Sequence, residues 1–213
     1  MPWESARSAA SLDLLSGGRL ELGLGAGGFP HAIAAMGGER RSPGEAVEAL
    51  SEAIDIIRSM LGGAGSAIRH RGDHYTVVGA QGGPVPAHEI PIWVGATKAR
   101  MLRLVGRKAD GWLPTLDRME PGGLREGNRI IDEAAREAGR DPREIRRLVN
   151  IAGAFANERS GFLDGPPEAW VEDLLPLVVE DGVGTFILMT DEEAAMTRFA
   201  EEVMPALREA VAK

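Results

Sequence analysis

Apolar and polar positions along the chain follow two alternating rhythms, one of helical period and one of strand period. Residues Ser5 to Leu15 read as a helix, and Gly17-Gly18 ends it. Leu20, Leu22 and Leu24 then alternate with polar or small residues, which predicts a strand over Leu20–Gly25 that runs into the flexible turn Gly25-Ala26-Gly27-Gly28. Ser42-Pro43-Gly44-Glu45 has the form of a capping box with proline at the first helical position. The helix it opens carries Val47, Leu50, Ile54, Ile57 and Leu61 at spacings of three and four, and stops at Gly62-Gly63. Ile68 to Val78 reads as a short hairpin with Arg71-Gly72-Asp73 as its turn. Pro121 opens a further helix through Ile130, Ile131, Ala134 and Ala138. Asp141-Pro142-Arg143-Glu144 reads as a second capping box, ahead of a strand over Leu148–Phe155. A helix over Trp170–Val179 must bend at Pro176. A strand over Thr185–Met189 and one helix over Glu192–Val211 complete the chain.

The most informative stretch lies between these. Ile92 to Val94 is apolar and strand-like, stops at Gly95-Ala96, and passes through Thr97-Lys98 into a helix with Met101, Leu104 and Val105 on one side. A strand, a turn of small residues and a helix N-terminus aim free backbone N–H groups at one point, at the positive end of the helix dipole, which suits a phosphate. Gly111 to Pro114 returns as another strand. Five strands alternating with helices predict an α/β protein with a parallel sheet and helices packed outside it.

With 213 residues, 44% hydrophobic and 26% charged, the chain is globular and of a size for one domain, residues 1–213. No apolar run approaches a membrane span and no export signal opens the chain, so a cytoplasmic location is expected. It contains no cysteine, which rules out disulfides and thiolate–metal sites. A net charge of −8 argues against nucleic acid and anionic membranes as partners and leaves a small-molecule substrate as the expectation. His70 and His74 flank a glycine-containing turn and have no third ligand at suitable spacing, so no metal site is expected. Trp93 and Trp112 read as strand residues of the core or lining. Gly23, Gly25 and Gly27 have the wrong spacing for a dinucleotide fingerprint, and hydrolase and kinase motifs do not occur.

The run Leu12 to Gly27, the Ala109-Asp110-Gly111-Trp112 segment, the hairpin ending at Tyr75 and the Ser42–Glu45 helix together resemble the bacterial luciferase-like monooxygenases. Residues 32–58 and 101–114 are most similar to members that use the deazaflavin coenzyme F420. The resemblance implies a TIM-type (β/α)8 barrel with a flavin or deazaflavin across the C-terminal strand ends. It also implies that about five βα units are present here and that the first three are absent. It places Gly95, Ala96 and Thr97, with their backbone N–H groups, at the cofactor phosphate, where Lys98 either adds a charge or strains a turn that prefers glycine, and it places Gly25, Ala26, Gly27 and His31 beside the ring system. The expected cofactor is F420, with FMN as the alternative. The expected activity is hydride transfer to an organic substrate, impaired by the missing units; the other reading is a non-catalytic cofactor-binding or remnant barrel protein. Lys98-Ala99 replaces the glycine–proline pair common in the family, and Gly28 stands where some deazaflavin enzymes carry an acidic proton donor, so no catalytic residue is assigned. Five strands cannot close a barrel of eight, which leaves Leu20–Gly25 and Thr185–Met189 as open edges and predicts a homodimer or higher oligomer.

Overall fold

The computed structural model describes residues 1–63 and 67–213. In chain order the elements are α1 (Pro2–Ser16), β1 (Leu22–Leu24), α2 (Pro30–Ala35), α3 (Pro43–Gly62), β2 (Ala67–Arg71), β3 (Thr76–Gln81), β4 (Ile92–Val94), α4 (Ala99–Lys108), β5 (Gly111–Trp112), α5 (Gly123–Glu137), β6 (Arg146–Ile151), β7 (Ala154–Phe155), β8 (Asp164–Gly165), α6 (Pro167–Val179), β9 (Thr185–Leu188), α7 (Glu193–Arg198) and α8 (Met204–Val211). Five strands form one sheet in the order β1-β4-β5-β6-β9, every neighbouring pair parallel. The result is a curled half-barrel with β1 and β9 at its edges, the two strands expected there.

One face of the sheet carries Ile92, Val94, Trp112, Val149 and Ile151, each at most 1% exposed, packed under Ile54, Ile57, Leu104, Val105 and Ile131 from the helices. On the concave face the register aligns Gly23, Trp93, Gly111 and Arg146 side by side. Gly111 must lack a side chain, because a Cβ there would lie 2.7 Å from both Trp93 and Leu148.

The capping box of α3 forms in both directions between Ser42 and Glu45. Gly17 ends α1 in the left-handed conformation, with φ 70°. The hairpin is built from β2 and β3 in antiparallel register. Its turn is closed from α3: the Glu52 carboxylate accepts the backbone N–H groups of Asp73, His74 and Tyr75.

Several elements depart from the sequence reading, each for a visible reason. β1 starts later than Leu20 because the Leu20 N–H donates to the buried Asp13 carboxylate instead of to a strand. The strand expected over Leu148–Phe155 begins at Arg146 and breaks after Ile151. At Gly153 the chain passes so close to Leu163 and Trp170 that a Cβ would lie 2.8 Å from each side chain. Ala154–Phe155 then pairs with Asp164–Gly165. Asp141 does not open a capping box. Its side chain accepts from the Arg143 N–H and closes only the single 3-10 turn Pro142–Glu144. The last helix runs unbroken from Glu193 to Val211 but not regularly: a π turn, Phe199–Val203, separates α7 from α8. Pro205 has no N–H to offer the Glu201 carbonyl, so the regular ladder fails at that point. The short α2 was unsignalled, since Gly27-Gly28 and Gly37-Gly38 flank it and hide a one-turn pattern.

Candidate functional site

β1 and β4 end side by side, and the loops that leave them form the site. The Gly95 N–H donates to the Leu24 carbonyl at 3.0 Å, which continues the β1–β4 pairing one step past the strands. The Gly95 N–H is therefore engaged within the sheet. The next turn is fixed from below: the Trp112 indole N–H donates to the Ala96 carbonyl at 2.9 Å, with both residues buried. Beyond it, the N–H groups of Ala96, Thr97 and Lys98 have no acceptor among the described residues, and α4, entered from Lys98, has no side-chain cap and no acidic residue in its first turn. The positive end of this helix is thus left uncompensated.

Above the turn lies a cleft of about 930 Å³ between the Gly25–Gly28 loop, the Arg40–Val47 segment and the Gly95–Met101 turn. Seven of the eight residues singled out in the sequence, Gly25, Ala26, Gly27, Gly95, Ala96, Thr97 and Lys98, line it together. His31 does not; it sits exposed on α2, outside the wall. Sequence reasoning missed Arg40, Arg41 and Arg100, which join Lys98 to give the wall four cations and no carboxylate. The Arg40-Arg41 pair directly before the Ser42 cap was the available signal. Arg41 is partly committed, with Glu39 at 2.8 Å and the Tyr75 ring centroid 5.4 Å from its guanidinium carbon. Arg100 is paired to Glu48. Among the described residues Lys98 and Arg40 make no ion pair. In a chain of net charge −8 this is a local surplus of positive charge.

The donors fit a phosphorylated group: free N–H groups, a helix N-terminus and unpaired cations converge on one wall. Space fits as well. A Cβ on Gly25 would meet nothing within 4 Å, and one on Gly95 only the Leu113 carbonyl at 3.5 Å, so the packing of the protein does not require either glycine.

Glutamates near the cleft are held as carboxylates. Glu48 lies below its ordinary pKa because Arg100 and then His74 stabilise its charge. Glu52 is pushed up by burial, but the three hairpin N–H groups outweigh this and its pKa falls. His70 and His74 face different glutamates of α3, Glu52 at 3.4 Å and Glu48 at 3.5 Å. Among the described residues no three His, Cys, Asp or Glu side chains gather as a metal cluster, and no helix is long and apolar enough to cross a membrane.

A groove of similar size, about 900 Å³, opens at the opposite end of the sheet beside β6 and β9. Its charges satisfy one another, Arg147 with Asp132 at 2.6 Å and Arg143 with Asp141 at 2.7 Å, which leaves less free charge for a ligand than the strand-end cleft has.

A parallel α/β half-barrel with a cationic cleft at the carboxyl ends of its strands is the class that fold and site define. Residues 1–164 match the profile of the family described as luciferase-like monooxygenase, and the chain belongs to that family. It is 32% identical over 238 residues to the phthiodiolone/phenolphthiodiolone dimycocerosates ketoreductase of Mycobacterium kansasii, covering 99% of this chain and 61% of that protein. It is 26% identical over 220 residues to the F420-dependent glucose-6-phosphate dehydrogenase of Microbacterium testaceum, covering 95% and 65%. The chain thus spans about six-tenths of the length of these curated relatives. Among solved structures, an F420-dependent secondary alcohol dehydrogenase in complex with an F420-acetone adduct superposes with a TM-score of 0.84 at 19% identity, over 97% of this chain and 75% of that one. That likeness shows the fold.

Proposed function

We propose that the strand-end cleft binds the phosphate of a deazaflavin, coenzyme F420, with FMN as the alternative, and that the chain is part of an oxidoreductase acting on a small organic substrate. The observation that carries this is the cleft wall itself: the free N–H groups of Ala96, Thr97 and Lys98 beside four cations and no carboxylate. Two relatives, a ketoreductase and an F420-dependent dehydrogenase, support the cofactor and the reaction class. When bound, such a cofactor supplies the hydride chemistry. The chain's own residues hold its anionic end: Lys98 and Arg40 as point charges, the Ala96–Lys98 amides as fixed donors. Gly25, Ala26 and Gly27 wall the side toward the strand ends. His31, exposed on α2, does not line the cleft and is assigned no part in holding the anionic end.

We further infer one domain over residues 1–213, located in the cytoplasm. By itself this chain should turn over slowly. A second reading, a cofactor-binding protein without catalysis, draws on Gly28: it stands on the cleft wall, and no Asp, Glu or His there can hold a proton.

Titration with F420 and with FMN, followed by fluorescence and calorimetry, tests the binding. Saturable binding that weakens in Lys98→Ala and Arg40→Ala is expected, and absence of saturation for both cofactors at millimolar concentration overturns the proposal. Stopped-flow oxidation of the reduced cofactor with candidate ketones or alcohols separates the two readings.

A further inference from the structure

Of the four cations on the cleft wall, Arg100 alone is held by the neighbouring helix α3 across the cleft. Its guanidinium donates to Glu48, one turn beyond the start of α3. The other oxygen of Glu48 lies 3.5 Å from His74 Nε2 on the hairpin turn. The hydrogen bond to Arg100 and the nearby imidazole favour one orientation of the carboxylate, and so of the arginine that leans on it. A third feature points the same way. Gly44, at the second position of α3, lies under the Arg100 side chain, and a Cβ on it would approach Arg100 Nη1 to 2.9 Å. Nothing else crowds that position, and Gly44 does not have a positive φ. An alanine there would suit the helix better than glycine. The one group a side chain there would meet is the guanidinium of Arg100.

Resting on the cofactor reading above, we propose that Glu48 and Gly44 are positioning residues that preorganise Arg100 as a cationic arm of the cleft, opposite the free amides of the Ala96–Lys98 turn. Lys98 and Arg40 are unpaired and must be ordered when an anion arrives. Arg100 is ordered beforehand, so its contact with the anion costs less conformational freedom. A guanidinium offers a planar fork to phosphate oxygens, which lysine at the same place cannot.

The test is a double-mutant cycle on the full chain, with FMN and F420 as the probes. Gly44→Ala, Glu48→Gln and Arg100→Ala are each expected to weaken binding by about 3- to 10-fold, the scale set by ordering one long side chain. Gly44→Ala should leave the thermal midpoint unchanged or raised, which separates displacement of Arg100 from damage to the fold. In the Arg100→Ala background the Gly44→Ala and Glu48→Gln effects should vanish. Additive losses, or unchanged affinity in Gly44→Ala and Glu48→Gln while Lys98→Ala binds weakly, overturn the positioning role and leave the cofactor reading standing. A wild-type chain that binds neither probe overturns both.

Discussion

Arg146 Nη1 lies 3.1 Å from Glu21 Oε1, although 125 residues separate them and three strand steps lie between β6 and β1. The guanidinium passes over the Trp93 ring at 5.3 Å, and its other nitrogen donates to Thr185 Oγ1 at 3.3 Å. One side chain therefore reaches from the edge strand β9 to the residue just before the edge strand β1, across the concave face. A flat sheet would put these groups out of reach, so this contact measures the curl. Both groups are solvent-accessible, and of the two glycines in this row only Gly111 is needed to leave room for Trp93. Arg146→Ala is accordingly expected to cost less than about 1 kcal/mol in urea unfolding.

Trp112 links the core to the cleft. Trp112→Phe removes the indole N–H and strands the buried Ala96 carbonyl, at a cost of about 2 kcal/mol. Because that bond fixes the turn of free amides, cofactor affinity should fall along with the denaturation midpoint. Fluorescence titration and urea melts on one preparation check both.

Glycines separate into those the packing requires and those it does not. A Cβ at Gly106 would lie 2.8 Å from Ala134 Cβ and 3.0 Å from the Ala135 nitrogen, where α4 crosses α5. Gly106→Ala should cost about 1–3 kcal/mol by overpacking. Gly62, at the end of α3 with nothing nearby, should accept alanine without loss. Chemical denaturation of the two variants side by side decides this.

Acid sensitivity should centre on Asp13. The carboxylate is fully buried and accepts from the N–H groups of Leu20, Ala87 and His88, with His88 Nδ1 at 2.9 Å. Burial pushes its pKa up, but the His88 ring and these N–H groups prevail and hold it below the ordinary value. A depressed folded-state pKa adds stability above the unfolded value, about 3.9, and that stability is lost as pH falls through the folded-state value. Asp13→Asn should lower the thermal midpoint at neutral pH and flatten its decline in acid, seen by melting the two proteins across that range.

Self-association is expected from the sheet edges. β9 presents Thr185-Phe186-Ile187-Leu188 with no charge and no proline, and β1 offers three residues with a glycine at the centre. Light scattering on the purified chain should find a dimer or larger species at tens of micromolar. A clean monomer would refute it.

Short-range chemistry made much of this fold legible. Ser42-Pro43-Gly44-Glu45, the apolar stripe of α3 and the Ile92–Met101 turn act through neighbours within a few residues, so their patterns survive in sequence. What escaped reading depends on partners far along the chain. Glu52 closes a turn some twenty residues away, Asp13 delays the start of the first strand, and Gly153 marks a close approach to Leu163 and Trp170 that no local pattern encodes. The cleft was half legible for the same reason. The Gly95–Lys98 turn announces itself, whereas Arg40, Arg41 and Arg100 become a wall only once α3 lies beside α4. Pro205 was legible in principle, and its effect on the last helix follows from a single missing N–H.

The Glu52 clasp has a consequence for engineering. By gathering three successive amides of the hairpin turn, it welds the Gly72–Tyr75 end of the hairpin to α3, and with it Tyr75 and the Arg41 that rests on its ring. Foreign sequence grafted at that end would tear out the weld and disturb the cationic wall. The return leg is fastened differently, the Gln81 carbonyl accepting from Arg7 of α1 at 2.8 Å, so an insertion there would loosen the tie to α1 and leave the cationic wall in place.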